Sequence, residues 1–87
     1  MRARRLEVLD EYLEADEAVV FVEGQVVALS ALATTALLSV GTAWTEAAVV
    51  AAALVAKFQD PPSGTNALEA THNTLVSLAE LGIIELQ

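Results

Sequence analysis

The sequence predicts an α+β domain in which a three-stranded antiparallel sheet precedes three helices. The segment Ala18–Leu29, AVVFVEGQVVAL, places two β-branched runs on either side of Glu23-Gly24. Downstream, Ser30, Thr45 and Asn66 each stand before an apolar stretch in the manner of a helix cap. Between the last two, Asp60-Pro61-Pro62-Ser63-Gly64 interrupts any helix outright.

At the N-terminus, Leu6, Val8, Tyr12 and Leu13 lie among acidic residues, and alternation around Leu6 and Val8 predicts a short first strand. The next two strands span 17–22 and 25–29. Gly24 supplies the positive φ of a tight turn, so Val22 faces Gln25, Phe21 faces Val26, Val20 faces Val27 and Val19 faces Ala28. Both faces of this hairpin are apolar. One face can pack on the helices that follow, while the second face and the unpaired backbone of the outer strand still need cover.

Ser30 caps a helix over 31–40, with Leu32, Ala36 and Ser39 or Val40 at helical spacing and Gly41 as its end. Thr45 caps a second helix, where Glu46 suits the positive end of the dipole and Val49, Ala52 or Ala53 and Ala56 form the stripe. In the third, Asn66 with Glu69 resembles a capping box, and the helix runs to about Leu81 with Leu68, Leu75, Leu78 and Leu81 or Gly82 buried. Ile83-Ile84-Glu85-Leu86 then adds a strand or plugs the core. This order of elements is that of a small winged helix-turn-helix-like module, with its strands ahead of its helices.

Composition narrows the function. The 87 residues make one domain, 1–87, too small for a core plus a deep catalytic cleft. Hydrophobic residues are 55% of the chain and charged residues 18%, which implies apolar surface covered by a partner. Four basic residues against twelve acidic ones give a charge of −8, and beyond Arg2, Arg4 and Arg5 the body holds only Lys57. Nucleic-acid binding depends on Lys and Arg at phosphates, so a nucleic-acid partner is not expected, and basic or neutral peptides suit the surface better. Without cysteine there is no disulfide framework or thiolate site.

No signal-peptide pattern is present, which points to a cytoplasmic protein. Residues 24–45 carry no charge and are long enough to span a bilayer, but Gln25, Ser30, Thr34, Thr35, Ser39, Gly41 and Thr42 interrupt them, and no membrane partner is expected.

Taken together, DEAVVFVEGQVVALS, the helix ALATTALLSV, the start Thr45-Glu46 and the ending Leu75-x-x-Leu78-x-x-x-Gly82-Ile83-Ile84 resemble the PqqD-like family over residues 15–86. These are the RiPP recognition elements, which bind the leader segments of ribosomally made peptides during their modification. The chain departs from the family at Leu29-Ser30-Ala31, where many relatives have a Leu-Asn-type cap, and in the few charges of its second helix. Its size resembles the stand-alone members of lasso-peptide pathways.

The resemblance implies that a precursor leader peptide adds as a strand beside Gln25, Val26, Val27, Ala28 and Leu29, in a groove walled by the third helix. Glu69, His72 or Asn73, and Val76 would border that groove. A separate leader peptidase or other modifying enzyme is the second implied partner. The alternative for this edge is cover by the chain's own N- or C-terminal segment.

His72 is the single histidine, so a multi-histidine metal site is impossible, and no Ser or Asp around it forms a catalytic motif. It reads as groove-lining, with surface or core filler as the alternative. Trp44 reads as a staple onto Val49 or a neighbour. A non-enzymatic binding module without cofactor or metal is expected. The competing classes are a winged-helix nucleic-acid binder and a structural module whose outer strands pair between two copies.

Overall fold

The computed structural model describes residues 1–22, 24–59 and 66–87. The predicted breaker at Asp60-Pro61-Pro62-Ser63-Gly64 and the turn residue Glu23 lie outside the described residues. Among the described residues nine elements follow one another: β1 (Arg2–Arg5), β2 (Asp10–Glu14), β3 (Glu17–Val22), β4 (Gln25–Leu29), α1 (Ala31–Ser39), β5 (Thr45–Glu46), α2 (Ala47–Phe58), α3 (Ala67–Glu80) and β6 (Ile84–Leu86). A three-stranded antiparallel sheet, β2-β3-β4, thus precedes three helices.

The β3–β4 hairpin has the predicted register, Val22 opposite Gln25 through Val19 opposite Ala28, and Gly24 takes a φ of 85°. Its first strand does not lie where alternation placed it. Leu6–Leu9 is a crossing segment between β1 and β2, held by the Leu6 amide on the Ile83 carbonyl (3.0 Å) and the Leu9 amide on the Phe21 carbonyl (2.8 Å). The true partner of β3 is the acidic DEYLE of β2, joined to it by the tight turn Ala15-Asp16. Composition of this kind has low strand propensity, and only pairing with β3 makes it extended.

A second sheet, β5-β1-β6, closes the other end of the molecule. The middle strand, β1, carries Ala3 with no exposed surface between Thr45 and Leu86. Reciprocal bonds between Arg2 and Gln87 (3.1 and 2.9 Å) extend the β1–β6 ladder. Ile84 therefore both pairs and fills the core, beside the fully buried Ile83. These two terminal segments cover each other, which removes the alternative in which either one covers β4.

One core joins the layers: Val20, Ala18 and Leu29 from the hairpin, Ala36 and Leu37 from α1, Val50 and Leu54 from α2, Leu75 and Leu78 from α3. The helical faces match the predicted stripes in part: Ala36, Val40, Leu75 and Leu78 are buried as expected. Helix α1 buries Thr34, Ala36 and Leu37 and exposes Leu32; α2 buries Ala47, Val50, Ala51 and Leu54 and exposes Val49; α3 buries Thr71, Leu75 and Leu78 and exposes Leu68. In AAVVAAALVA almost every position is apolar, so periodicity carries no contrast from which to read a face.

The caps are partly as predicted. Ser30 accepts from the Ala33 amide (3.2 Å) and Asn66 from the Glu69 amide (2.7 Å). Thr45 is not the cap of α2: it lies in β5, and the N-cap is Glu46, with no side-chain capping bond. Instead the Met1 carbonyl takes the Ala47 amide at 2.9 Å, a backbone cap supplied by the strand next door. Val40, extended at φ −99°, ends α1 before Gly41 is reached.

Candidate peptide-binding edge

In β2-β3-β4 the outer side of β4 has no neighbour among the described residues. The residues flanking a two-residue hairpin loop exchange both of their hydrogen bonds, and bonded and non-bonded pairs then alternate. With Val22 opposite Gln25, the bonded residues of β4 are Gln25, Val27 and Leu29. Hence the N–H and C=O groups of Val26 and Ala28 point away from β3. The Ala18 amide, at the end of the ladder, turns to the Thr34 hydroxyl at 3.0 Å.

Side chains alternate in the same rhythm. Leu29 is buried and Val27 half-buried on the face toward α1, whereas Val26 is 64% exposed and Ala28 is exposed on the other. A strand laid along β4 would project alternate side chains toward the helices and toward solvent.

Beside the inner end of this edge is a hollow of about 220 Å³, lined by Leu29, Ser30, Leu32 and Ala33 and, on α3, by Thr74, Ser77, Leu78 and Leu81. The α3 hydroxyls are turned back on their own helix: Thr74 Oγ1 donates to the Ala70 carbonyl (3.0 Å) and Ser77 Oγ to the Asn73 carbonyl (3.1 Å). Their hydrogen-bonding needs are met locally, so leucine and alanine side chains and methyl groups dominate what the hollow offers a guest.

The expected residues are only partly brought together. Gln25, Val26, Val27, Ala28 and Leu29 form the open edge, and Leu29 alone of them lines the hollow. On α3 the lining stripe is Thr74, Ser77 and Leu81, spaced i, i+3 and i+7. At 100° per residue, Glu69, His72 and Val76 lie roughly 110–175° round the helix from that stripe and Asn73 about 70°. Glu69, His72 and Asn73 are exposed, and Val76 is half-buried. None of these four lines the hollow, which on α3 is bordered by Thr74, Ser77, Leu78 and Leu81. Leu78 is core, as the sequence predicts, and also touches the hollow; the predicted stripe places Leu81 or Gly82 in the core as well and gives Thr74 and Ser77 no groove role.

Compared with known proteins, the chain matches no family model, no curated protein and no solved structure.

Trp44 carries the Arg4 guanidinium 4.8 Å from its ring centroid, and Arg4 in turn contacts Glu85 at 2.6 Å, so the indole is tied to the β1–β6 layer. Among the described residues no group of three or more His, Cys, Asp or Glu side chains is arranged to hold a metal ion. Among the same residues no helix is long and apolar enough to cross a membrane; the uncharged stretch 24–45 is divided between β4, α1 and β5.

Proposed function

We propose that this chain is a winged helix-turn-helix-like, non-enzymatic recognition module of the PqqD-like kind. It binds the leader segment of a ribosomally synthesised precursor as a strand added to β4 and presents the attached core peptide to a separate leader peptidase, as in lasso-peptide pathways. The observation that carries this reading is the open edge of β4 lying beside an apolar hollow, with the backbone groups of Val26 and Ala28 turned outward.

Backbone pairing supplies affinity without regard to sequence, and the hollow supplies selectivity. A guest side chain directed to the inner face beside Leu29 enters a space bounded by Leu32, Ala33 and Leu81. An aliphatic or aromatic anchor fits it. The net charge of −8 favours a neutral or basic guest and works against nucleic acid. Interfaces of this type bury on the order of a thousand Å² and span micromolar to nanomolar affinity according to their anchors.

The test is a fluorescence-anisotropy titration of a labelled leader segment from the cognate precursor against the full chain and its Ala28→Pro variant. Proline at 28 removes an outward N–H on an edge strand, where the fold tolerates it. Val27→Pro is a poorer probe, because that amide belongs to the β3–β4 ladder. Loss of binding in a folded Ala28→Pro protein is expected; unchanged affinity would overturn strand addition.

A further inference from the structure

The face of β2-β3-β4 turned away from the helices is a second, separate surface. Register places Tyr12, Val19 and Ala28 side by side across it, with Phe21 beside Val26 in the next row. Tyr12 and Phe21 meet edge to face at 5.8 Å between ring centroids. Tyr12 is 61% exposed, and among the described residues the helix packed on β3 and β4 is α1, on the opposite face, where Ala18, Val20 and Leu29 are buried.

Alternation also puts Asp10, Glu14 and Glu17 on this face, all exposed. Glu14 stands directly opposite Glu17, a like-charge pair that destabilises a hairpin unless a cation neutralises it. The chain has no uncommitted lysine or arginine to give. Each of its four basic side chains is already engaged: Arg2 with Glu46, Arg4 with Glu85, Arg5 with Glu11 and Lys57 with Asp16.

We propose that this sheet face docks a folded protein partner whose contact patch is apolar at its centre and carries lysine or arginine at its rim. The apolar patch of Tyr12, Val19, Phe21 and Val26, two adjacent rows of the sheet, receives the centre, and the Glu14·Glu17 pair with Asp10 receives the basic rim. A second copy of this chain would bring more carboxylates and no unpaired lysine or arginine, and an anionic lipid surface is repelled in the same way. Most of this surface lies away from the β4 edge: Asp10, Tyr12 and Glu14 are on β2, the opposite edge strand, and Glu17, Val19 and Phe21 on the central β3, so of the apolar patch only Val26 is shared with β4.

A hydrocarbon-stapled helical peptide tests this, with leucine and tryptophan along one face and lysine on either side; being helical, it cannot add as a strand. Titrated into the isotope-labelled full chain, it is expected to move the amide resonances of Tyr12, Glu14, Glu17, Val19, Phe21 and Val26. Tyr12→Ser and the double variant Glu14→Lys/Glu17→Lys should each weaken binding at least ten-fold, and a glutamate-flanked version of the peptide should bind only the double variant. The proposal is overturned if shifts spread over Glu69 and Glu80 as well, if they centre on Ser77 and Leu81, or if Tyr12→Ser binds as the parent does. It is overturned equally if sedimentation shows the parent protein as a dimer and the Tyr12→Ser variant as a monomer.

Discussion

The backbone amide of Ala18 donates to the hydroxyl of Thr34 at 3.0 Å, joining the first buried residue of the hairpin to the middle of α1. Both residues are buried, so the bond fixes how the sheet sits on the helices where no water can replace it. Thr34→Val preserves shape and removes the acceptor. We expect a loss of about 1–3 kcal/mol, read from urea unfolding followed by circular dichroism.

The β2–β3 turn is strained. Ala15 holds a φ of 54° at the first loop position, where hairpin turns favour glycine. An L-residue in that region costs roughly 1–2 kcal/mol, part of which glycine returns as chain entropy in the unfolded state. Ala15→Gly should therefore raise stability by about 0.5–1 kcal/mol. A lower urea midpoint for the variant would contradict this.

The two candidate stripes on α3 are separable. Ser77 is exposed and borders the hollow, so Ser77→Phe fills it without disturbing the core, and leader affinity should fall at least ten-fold. His72→Ala and Glu69→Gln lie away from it and should change affinity less than two-fold. The opposite ranking in anisotropy titrations would restore the stripe expected from sequence.

Ala3 has no exposed surface and sits in the middle strand of the closing sheet. Ala3→Glu buries an unpaired carboxylate, at several kcal/mol, in a domain whose total stability is of the order of 5–15 kcal/mol. The variant should lose amide dispersion in its proton–nitrogen spectrum, whereas Arg2→Gln, at an exposed 3.8 Å pair with Glu46, should leave that spectrum folded.

Arg4 is held between Trp44 and Glu85, and Trp44 is the only tryptophan. Arg4→Ala should shift the tryptophan emission and lower stability by about 0.5–1.5 kcal/mol, the range of a partly exposed cation–π contact plus an exposed ion pair. An unchanged emission spectrum would mean that the stacking does not persist in solution.

The sequence by itself determined what rests on local chemistry. Gly24 and the flanking valines set the β3–β4 register, because a positive φ and β-branched runs admit few alternatives. Ser30 and Asn66 marked two helix starts through their own side-chain oxygens. Only the tertiary structure decided the rest. β1 is extended because β5 and β6 flank it, not because RARR favours a strand, and β2 is extended because β3 offers it a ladder. Which face of the alanine- and valine-rich α2 is buried follows from what α1 and α3 leave free, since a uniformly apolar segment has no preferred side. The same holds for the hollow. Thr74, Ser77 and Leu81 border it through the rotation of α3 against α1, a quantity set by packing across the core rather than by any residue within the helix.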